Sequence, residues 1–174
     1  TMVDRIVPAT TDADREAIAA RLGVEDAWPV VAEPFFQWVV EDRFALGRPQ
    51  WERSGVEFAP DVGPYEVMKL RLLNGTHSAL AYLGYLAGLE TISDTVADPV
   101  FVDFARHLWR DEIIPVVPSP PGVDLACYGD ALLARYQNPA IRHRTWQIAM
   151  DGSQKLPQRI LDKHYLRKHG ENAY

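Results

Sequence analysis

Residues 65–77 read YEVMKLRLLNGTH, and this stretch decides the fold. Pro64 precedes it and suits the first turn of a helix, and no breaker stronger than glycine follows before about Gly88. Apolar residues fall on nearly every side of this helix, which is typical of a helix that is buried all round. We therefore predict a long buried helix over residues 65–88.

The chain before this helix has a different pattern. A β-prone run occupies residues 1–8, and residues 10–12 offer a cap for a helix that ends near Gly23. Between residues 28 and 58 the apolar residues are mostly β-branched or aromatic, and three prolines interrupt them. We predict two or three short strands or extended segments there.

The chain after the central helix is predicted to be helical. Further helices are expected at about 99–113, 123–136 and 139–150, and another after Lys155. The run Pro-Ser-Pro-Pro-Gly at 118–122 is a rigid connector between two of them. The sequence therefore indicates a mainly α protein with a short mixed region at its N-terminal end.

Composition and charge exclude several classes of function. The formal net charge of -6 argues against a nucleic-acid partner, which would need a clustered basic surface. No apolar run reaches the roughly 18 residues of a membrane span, and no signal peptide is recognisable. The single cysteine, Cys127, cannot form an internal disulfide, which favours a reducing compartment. We predict a soluble, cytoplasmic protein.

Four polar residues of the central helix share one side. At about 100° per residue, Lys69, Asn74 and His77 fall at roughly 0°, 140° and 80° on the helical wheel. Glu66 falls near 60°, one turn before Lys69. A buried lysine costs several kcal/mol unless it is paired or neutral, so its presence needs a reason.

Two interpretations of this polar set are open. In the first, the chain is a non-catalytic helical module in which Lys69 pairs with Glu66. Asn74 and His77 then form hydrogen bonds with backbone groups. In the second, burial disfavours the ammonium form, so that Lys69 exchanges a proton with a substrate hydroxyl. Asn74 would then donate to a carbonyl or developing alkoxide, and His77 would bond a neighbouring hydroxyl. A cleft open to solvent favours the enzyme, and a sealed, mutually bonded cluster favours the module.

The sequence carries no signal for a metal site or a complete cofactor site. His77 has no second histidine or carboxylate at the i+4 ligand spacing, and no glycine-rich dinucleotide or phosphate-binding loop is present. Basic residues gather at Arg142, Arg144, Lys155 and Arg159, where they could hold a small anionic substrate.

The spacing Lys69-x4-Asn74-x2-His77 resembles the catalytic signature of the mannitol dehydrogenase and fructuronate reductase family, polyol-specific dehydrogenases that use no metal. Other segments are similar to the end of the family's nucleotide-binding domain and to its later helices: residues 2–6, 134–139 and 151–157. Three separated motifs in the family's order make the resemblance specific.

The resemblance implies a role for each polar residue. Lys69 would be the general acid/base, Asn74 would form part of the oxyanion-stabilising pair, and His77 would orient the substrate. Glu66 would lie on a proton path to solvent. These four are the predicted catalytic residues.

The resemblance also implies substrate contacts. Asp4 and Lys155 match family positions near the substrate. The family's later helix usually contributes an arginine, for which Arg142 and Arg144 are candidates, although the aligned position is Gln147. The basic residues favour fructuronate or mannonate, which carry a carboxylate, over mannitol or fructose.

The domain organisation follows from the same resemblance. Residues 1–60 would be the remnant of the end of the nucleotide-binding domain, with connecting strands. Residues 61–174 would be a truncated helical substrate domain, similar to the C-terminal domain of 6-phosphogluconate dehydrogenase. NAD or NADP would be bound mainly by the nucleotide-binding domain of the same parent protein, which this chain lacks, so the chain alone is predicted to be inactive.

Overall fold

The computed structural model of the chain describes residues 1–161. Helices make up most of this part, and the N-terminal residues add one small sheet. This confirms the prediction of a mainly α chain with a short α/β region at its start. Within the described part, no helix is both long and apolar enough to cross a membrane.

The sheet has three short strands, β1 (Met2–Asp4), β2 (Gln37–Glu41) and β3 (Glu57–Ala59). β2 lies in the middle, antiparallel to β1 and parallel to β3. Val39, at the centre of β2, is fully buried. The β-prone start and the expected strands between residues 28 and 58 are thus confirmed, with β3 ending one residue beyond that range.

Helix α1 (Asp12–Leu22) connects β1 to β2 and begins and ends where the sequence predicts. Thr11 caps it, because the Thr11 hydroxyl accepts from the backbone N–H of Asp14 at 3.2 Å. Gly23 ends it at a φ of 71°, a left-handed conformation that glycine adopts without strain.

The central helix is one continuous run of three parts: α2 (Gly63–Met68), a π-helical segment (Lys69–Gly75) and α3 (Thr76–Leu86). A π-helix closes i→i+5 hydrogen bonds and has a wider turn, and such segments are frequent at functional sites. The regular 100° wheel predicted for this segment is therefore wrong. Lys69 and Asn74, which are five residues apart, lie closer to one face than the wheel indicated.

Aromatic donors from other helices stabilise the π segment. The indole N–H of Trp109 lies 3.2 Å from the carbonyl of Leu72 and 2.7 Å from the hydroxyl of Thr76. The hydroxyl of Tyr136 donates to the carbonyl of Leu73 at 2.8 Å. Widening the turn frees carbonyls from their usual i+4 partners, and these buried side chains supply replacement donors.

The remaining α-helices are α4 (Ile92–Ala97), α5 (Pro99–His107), α6 (Leu125–Tyr136), α7 (Thr145–Ala149) and α8 (Gly152–Leu156). Two π-helical segments continue α5 and α8, at Leu108–Ile113 and Pro157–Leu161, and short 3₁₀ turns occur at Trp51–Ser54 and Ile114–Val116. The helices predicted at 99–113 and 123–136 are confirmed. The core packs the central helix against these elements, with Leu72, Leu80 and Leu132 fully buried.

The helix predicted at 139–150 is wrong over its first half. Asn138 precedes a proline, which disfavours helical backbone, and its side chain accepts from the N–H of Ala140 at 3.0 Å to form a turn. Residues 141–144 then run without helical structure, and Arg144 pairs with Thr91 in an isolated antiparallel bridge. Helix α4 was not predicted.

Candidate active site

A polar cavity of about 290 Å³ lies where β1 meets the central helix and the last described helices. Its wall is formed by Asp4, Arg5, Ile6, Val7, Lys69, Leu73, Asn74, His77, His143, Gln147, Ile148, Lys155 and Arg159. The cavity is open on one side, and the signature residues Lys69, Asn74 and His77 all line it. This is the arrangement that the sequence analysis associated with an enzyme rather than with a sealed structural cluster.

Lys69 is held by the N-terminal strand. Its ammonium donates to the backbone carbonyl of Val3 at 2.5 Å. The residue is half-buried, because β1 covers one side of it while the cavity opens on the other. The expectation of a buried lysine is therefore wrong, since Lys69 is only half-buried.

The predicted structural partner of Lys69, Glu66, forms no ion pair with it among the described residues. The side chain of Glu66 is exposed. Glu66 instead borders a second, shallower groove of about 300 Å³, which also touches Val3, Lys69, Leu70 and Asn74. The interpretation of Lys69 as a partner of Glu66 loses its main support.

Asn74 lies at the boundary between the two spaces. It lines both the polar cavity and the shallow groove. Among the described residues, no hydrogen bond engages its side-chain amide. A partly buried amide with unused donors can bond an oxygen of a bound molecule, as the sequence analysis expects.

His77 is buried, with 7% of its surface exposed. Its ring stacks on Tyr136 at 5.3 Å and meets the ring of His143 edge-on at 4.7 Å. Burial holds the pKa of His77 well below its usual value, and the neighbouring His143, Arg159 and Arg135 lower it further. A neutral imidazole of low pKa can form a hydrogen bond with a substrate hydroxyl and does not compete with Lys69 for the proton of the reacting hydroxyl. In the described part, no group of three histidine, cysteine or carboxylate side chains could hold a metal ion.

The low pKa of His77 gives a testable pH dependence. We expect the free energy of unfolding to fall by about 1 kcal/mol per buried imidazole between pH 7.5 and pH 5.5. The unfolded chain binds a proton at His77 near pH 6.5 and the folded chain does not, so acid favours the unfolded state. Urea titrations at the two pH values would measure this loss.

The matched comparison is between two histidine variants. His77→Asn should reduce the loss in the free energy of unfolding that acid causes. His107→Asn, at an exposed position on α5, should leave that loss unchanged. An identical loss in the His77→Asn variant and the wild type would contradict a neutral, buried imidazole at position 77.

Asp4 lies behind the cavity in a buried ion cluster, and none of its surface is exposed. Arg135 contacts both of its carboxylate oxygens, at 2.7 and 3.0 Å, and the hydroxyl of Tyr128 donates to one of them at 2.8 Å. Arg135 also pairs with Glu33 at 2.6 Å, so that one cation joins two carboxylates. Its observed partners are protein groups, and a direct substrate contact by Asp4 stays a prediction.

The two predicted arginines do not belong to the cavity. Arg142 and Arg144 are both exposed, and Arg144 lies 3.8 Å from the exposed Glu90. His143, between them, lines the cavity instead. In extended backbone successive side chains point to opposite sides, so turning His143 inward turns both arginines outward. Neither arginine lines the cavity, and a substrate contact by Arg142 or Arg144 stays a prediction.

Other members of the basic group do reach the cavity. Lys155 lines it, and its ammonium donates to the carbonyl of Met150 at 2.7 Å and lies 3.6 Å from Asp151. Arg159, which the sequence analysis placed in the basic group but not among the site residues, lines it too. Gln147 stands in the wall at the position where the resemblance predicts an arginine.

Comparisons with known proteins agree with this geometry. A sequence model of the mannitol dehydrogenase C-terminal domain matches residues 61–174, and one of the mannitol dehydrogenase Rossmann domain matches residues 1–53. D-mannonate oxidoreductase of Escherichia coli is 55% identical over 99% of this chain and 35% of its own length. Mannitol dehydrogenase 2 of Saccharomyces cerevisiae is 50% identical over 96% of this chain and 34% of its own.

A solved structure shows the same fold. Mannitol 2-dehydrogenase of Pseudomonas fluorescens, in a ternary complex with NAD and D-mannitol, superimposes with a TM-score of 0.87 and 45% identity. The match covers 97% of this chain and 35% of that protein.

The chain belongs to the mannitol dehydrogenase family, since the C-terminal domain model alone matches residues 61–174. The chain spans about a third of the length of the relatives it matches.

Proposed function

We propose that this chain is the substrate-binding and catalytic part of an NAD(P)-dependent oxidoreductase that interconverts a sugar acid or polyol and its keto form without a metal. The observation that carries the proposal is that Lys69, Asn74 and His77 line one polar cavity that is open on one side. Relatives named as mannonate and mannitol oxidoreductases support the reaction class. The single cysteine, exposed at Cys127, is compatible with the cytoplasm, the compartment that we propose.

Lys69 is proposed to take the proton of the substrate hydroxyl during oxidation and to return it during reduction. The Val3 carbonyl can only accept a hydrogen bond, and a lysine amine keeps at least two N–H groups in either charge state. The bond to Val3 therefore survives the proton transfer. It fixes the direction of the amine while the remaining position on nitrogen faces the cavity.

Asn74 and His77 are proposed to position the reacting oxygen and its neighbour. The unengaged amide of Asn74 would donate to the carbonyl or alkoxide oxygen, where charge develops as the hydroxyl proton leaves. His77, neutral and held by Tyr136 and His143, would bond the adjacent hydroxyl. Glu66, exposed in the shallow groove, would pass the proton on to solvent.

The shallow groove fits the nicotinamide end of NAD or NADP. It adjoins the polar cavity at Lys69 and Asn74, and Val3 and Leu70 give it apolar walls. When bound there, the cofactor would accept the hydride of the alcohol carbon. Parts of the whole protein outside this chain would hold the rest of the cofactor, in line with the share of the relatives that the chain covers.

A sugar acid is the favoured substrate because the cavity wall is rich in cations. Arg5, Lys69, Lys155 and Arg159 line it, while Asp4, the one carboxylate that residues 1–161 contribute to its wall, is already paired with Arg135. Such a wall attracts an anion more strongly than a neutral polyol. We therefore place the mannonate and fructuronate pair first and the mannitol and fructose pair second.

The test is turnover by the intact protein. With NAD⁺ or NADP⁺, we expect D-mannonate to be oxidised with a higher kcat/KM than D-mannitol, followed by the absorbance of the reduced cofactor. Addition of a chelator should leave the rate unchanged. Absence of turnover with both substrates and both cofactors would contradict the proposal and favour the non-catalytic module.

A further inference from the structure

Arg159 enters the polar cavity from the last described segment, Pro157–Leu161. Its backbone carbonyl packs against the central helix so closely that a Cβ at Gly75 would lie 2.7 Å from the carbonyl oxygen. Its guanidinium donates to the hydroxyl of the buried Ser78 at 3.0 Å. The arginine is therefore anchored to the helix that carries the predicted catalytic residues.

The guanidinium of Arg159 is half-buried but has no acidic partner among residues 1–161. Burial lowers its pKa, and no carboxylate of the described residues acts to raise it. By contrast, the buried Arg135 has two carboxylate partners, and Lys155 lies near Asp151. Among residues 1–161 this half-buried cation has no counter-charge, and an anion bound in the cavity would supply one.

The geometry of the donors points to the kind of anion. An arginine has five N–H donors in a planar fork, and a hydroxyl partner accounts for only one of those on Arg159. The fork matches the two oxygens of a carboxylate, which it can bind with two parallel hydrogen bonds. Lys155 is less suited to this role, because its ammonium already donates to the carbonyl of Met150.

We propose that Arg159 binds the carboxylate of a sugar-acid ligand and is the residue that makes the site prefer an acid to a neutral polyol. This inference rests on the proposed function for the identity of the ligand. In this arrangement Lys69 and Asn74 engage the end of the substrate that reacts, and Arg159 holds the charged end in the same cavity. Lys155 adds a second positive charge nearby.

Direct binding tests this role independently of turnover. Calorimetric titrations of the intact protein with D-mannonate and with D-mannitol would be made with NADH present, so that neither alcohol is oxidised. We expect the wild type to bind D-mannonate more tightly. Arg159→Gln should weaken D-mannonate binding by about 10- to 100-fold, the usual worth of a charge-assisted hydrogen bond, and D-mannitol binding by less than about threefold.

Two further variants distinguish the effects on binding of the positive charge, of the guanidinium fork and of the position in the cavity. Arg159→Lys keeps the positive charge but loses the fork, and should fall between the wild type and Arg159→Gln. Arg106→Gln, at an exposed arginine on α5 outside the cavity, should bind both ligands as the wild type does. A thermal unfolding midpoint for Arg159→Gln close to that of the wild type would show that the variant is folded.

Two outcomes would overturn the inference. One is a wild type that binds D-mannonate no more tightly than D-mannitol. The other is an Arg159→Gln variant that loses affinity equally for both ligands, which would make Arg159 a support for the central helix. Failure of the proposed function would be seen in a different experiment, as absence of turnover with NAD⁺ or NADP⁺. The comparison of binding affinities could still be interpreted in that case.

Discussion

The Lys69→Ala variant of the intact protein is expected to lose about 10²–10⁴-fold in kcat for alcohol oxidation, the usual worth of a positioned acid/base. Hydride leaves carbon readily only as the hydroxyl proton is removed, and the amine held by Val3 at the cavity wall is the base that we propose. Steady-state rates across a pH series would measure the effect. The pH profile of oxidation should change in the variant, because the group that we propose as the base is gone.

Chemical rescue separates a catalytic loss from a structural one. Small primary amines can enter the space left by the side chain, so ethylamine should restore part of the activity of Lys69→Ala. Arg106→Ala, at an exposed position on α5, should retain wild-type rates and should not respond to ethylamine. A Lys69→Ala enzyme with near wild-type kcat and an unchanged pH profile would refute the assignment.

Arg135→Met is expected to lower the free energy of unfolding by about 3–5 kcal/mol. Arg135 is the shared partner of Asp4 and Glu33, whose side chains are 0% and 2% exposed. Removing it leaves two carboxylates in the interior without a counter-charge, and desolvation makes unpaired charges costly. Denaturant titrations of the intact protein, followed by the fluorescence of its tryptophans, would report the loss.

Two controls test whether charge is the cause. Arg43→Met breaks an exposed pair with Glu41 and should cost less than about 1 kcal/mol. Adding Asp4→Asn and Glu33→Gln to Arg135→Met removes the unpaired charges, and should recover part of the lost stability. A loss below about 1 kcal/mol for Arg135→Met alone would show that the cluster contributes little to stability.

The sequence could predict which residues of the central helix share the cavity, because their relation is local. Lys69, Asn74 and His77 lie within nine consecutive positions of one helical run, so their mutual placement depends little on the rest of the fold. The surroundings of Lys69 could not be predicted in the same way. Its partner, the Val3 carbonyl, is 66 positions away and belongs to a strand whose docking is set by tertiary contacts.

The π-helical segment could not be predicted from the sequence either, because contacts with other elements stabilise it. Its freed carbonyls are satisfied by Trp109 and Tyr136, which belong to other elements. No local signal within residues 69–75 favours a π-helix over an α-helix, so the regular wheel was the natural but incorrect choice.

After residue 88 the sequence analysis missed two features of different kinds. Helix α4 carried a readable signal, because Thr91 and Asp94 form a capping box at its start. The placement of Arg142 and Arg144 had no such local signal. It depends on the bridge between Arg144 and Thr91, which sets the direction of the backbone and turns His143 into the cavity.

The bond between Asp4 and Arg135 joins residues that are 131 positions apart in the chain. A ribosome adds about 5–20 residues per second, so Asp4 is synthesised on the order of ten seconds before its partner. Throughout that interval the nascent strand β1 lacks Arg135, the cation that holds it. The Val3 carbonyl belongs to β1, so its position as the partner of Lys69 is not yet fixed. Assembly of the cavity is thus a late event in biosynthesis, and a polypeptide released before Arg135 is translated carries the signature residues without a formed site.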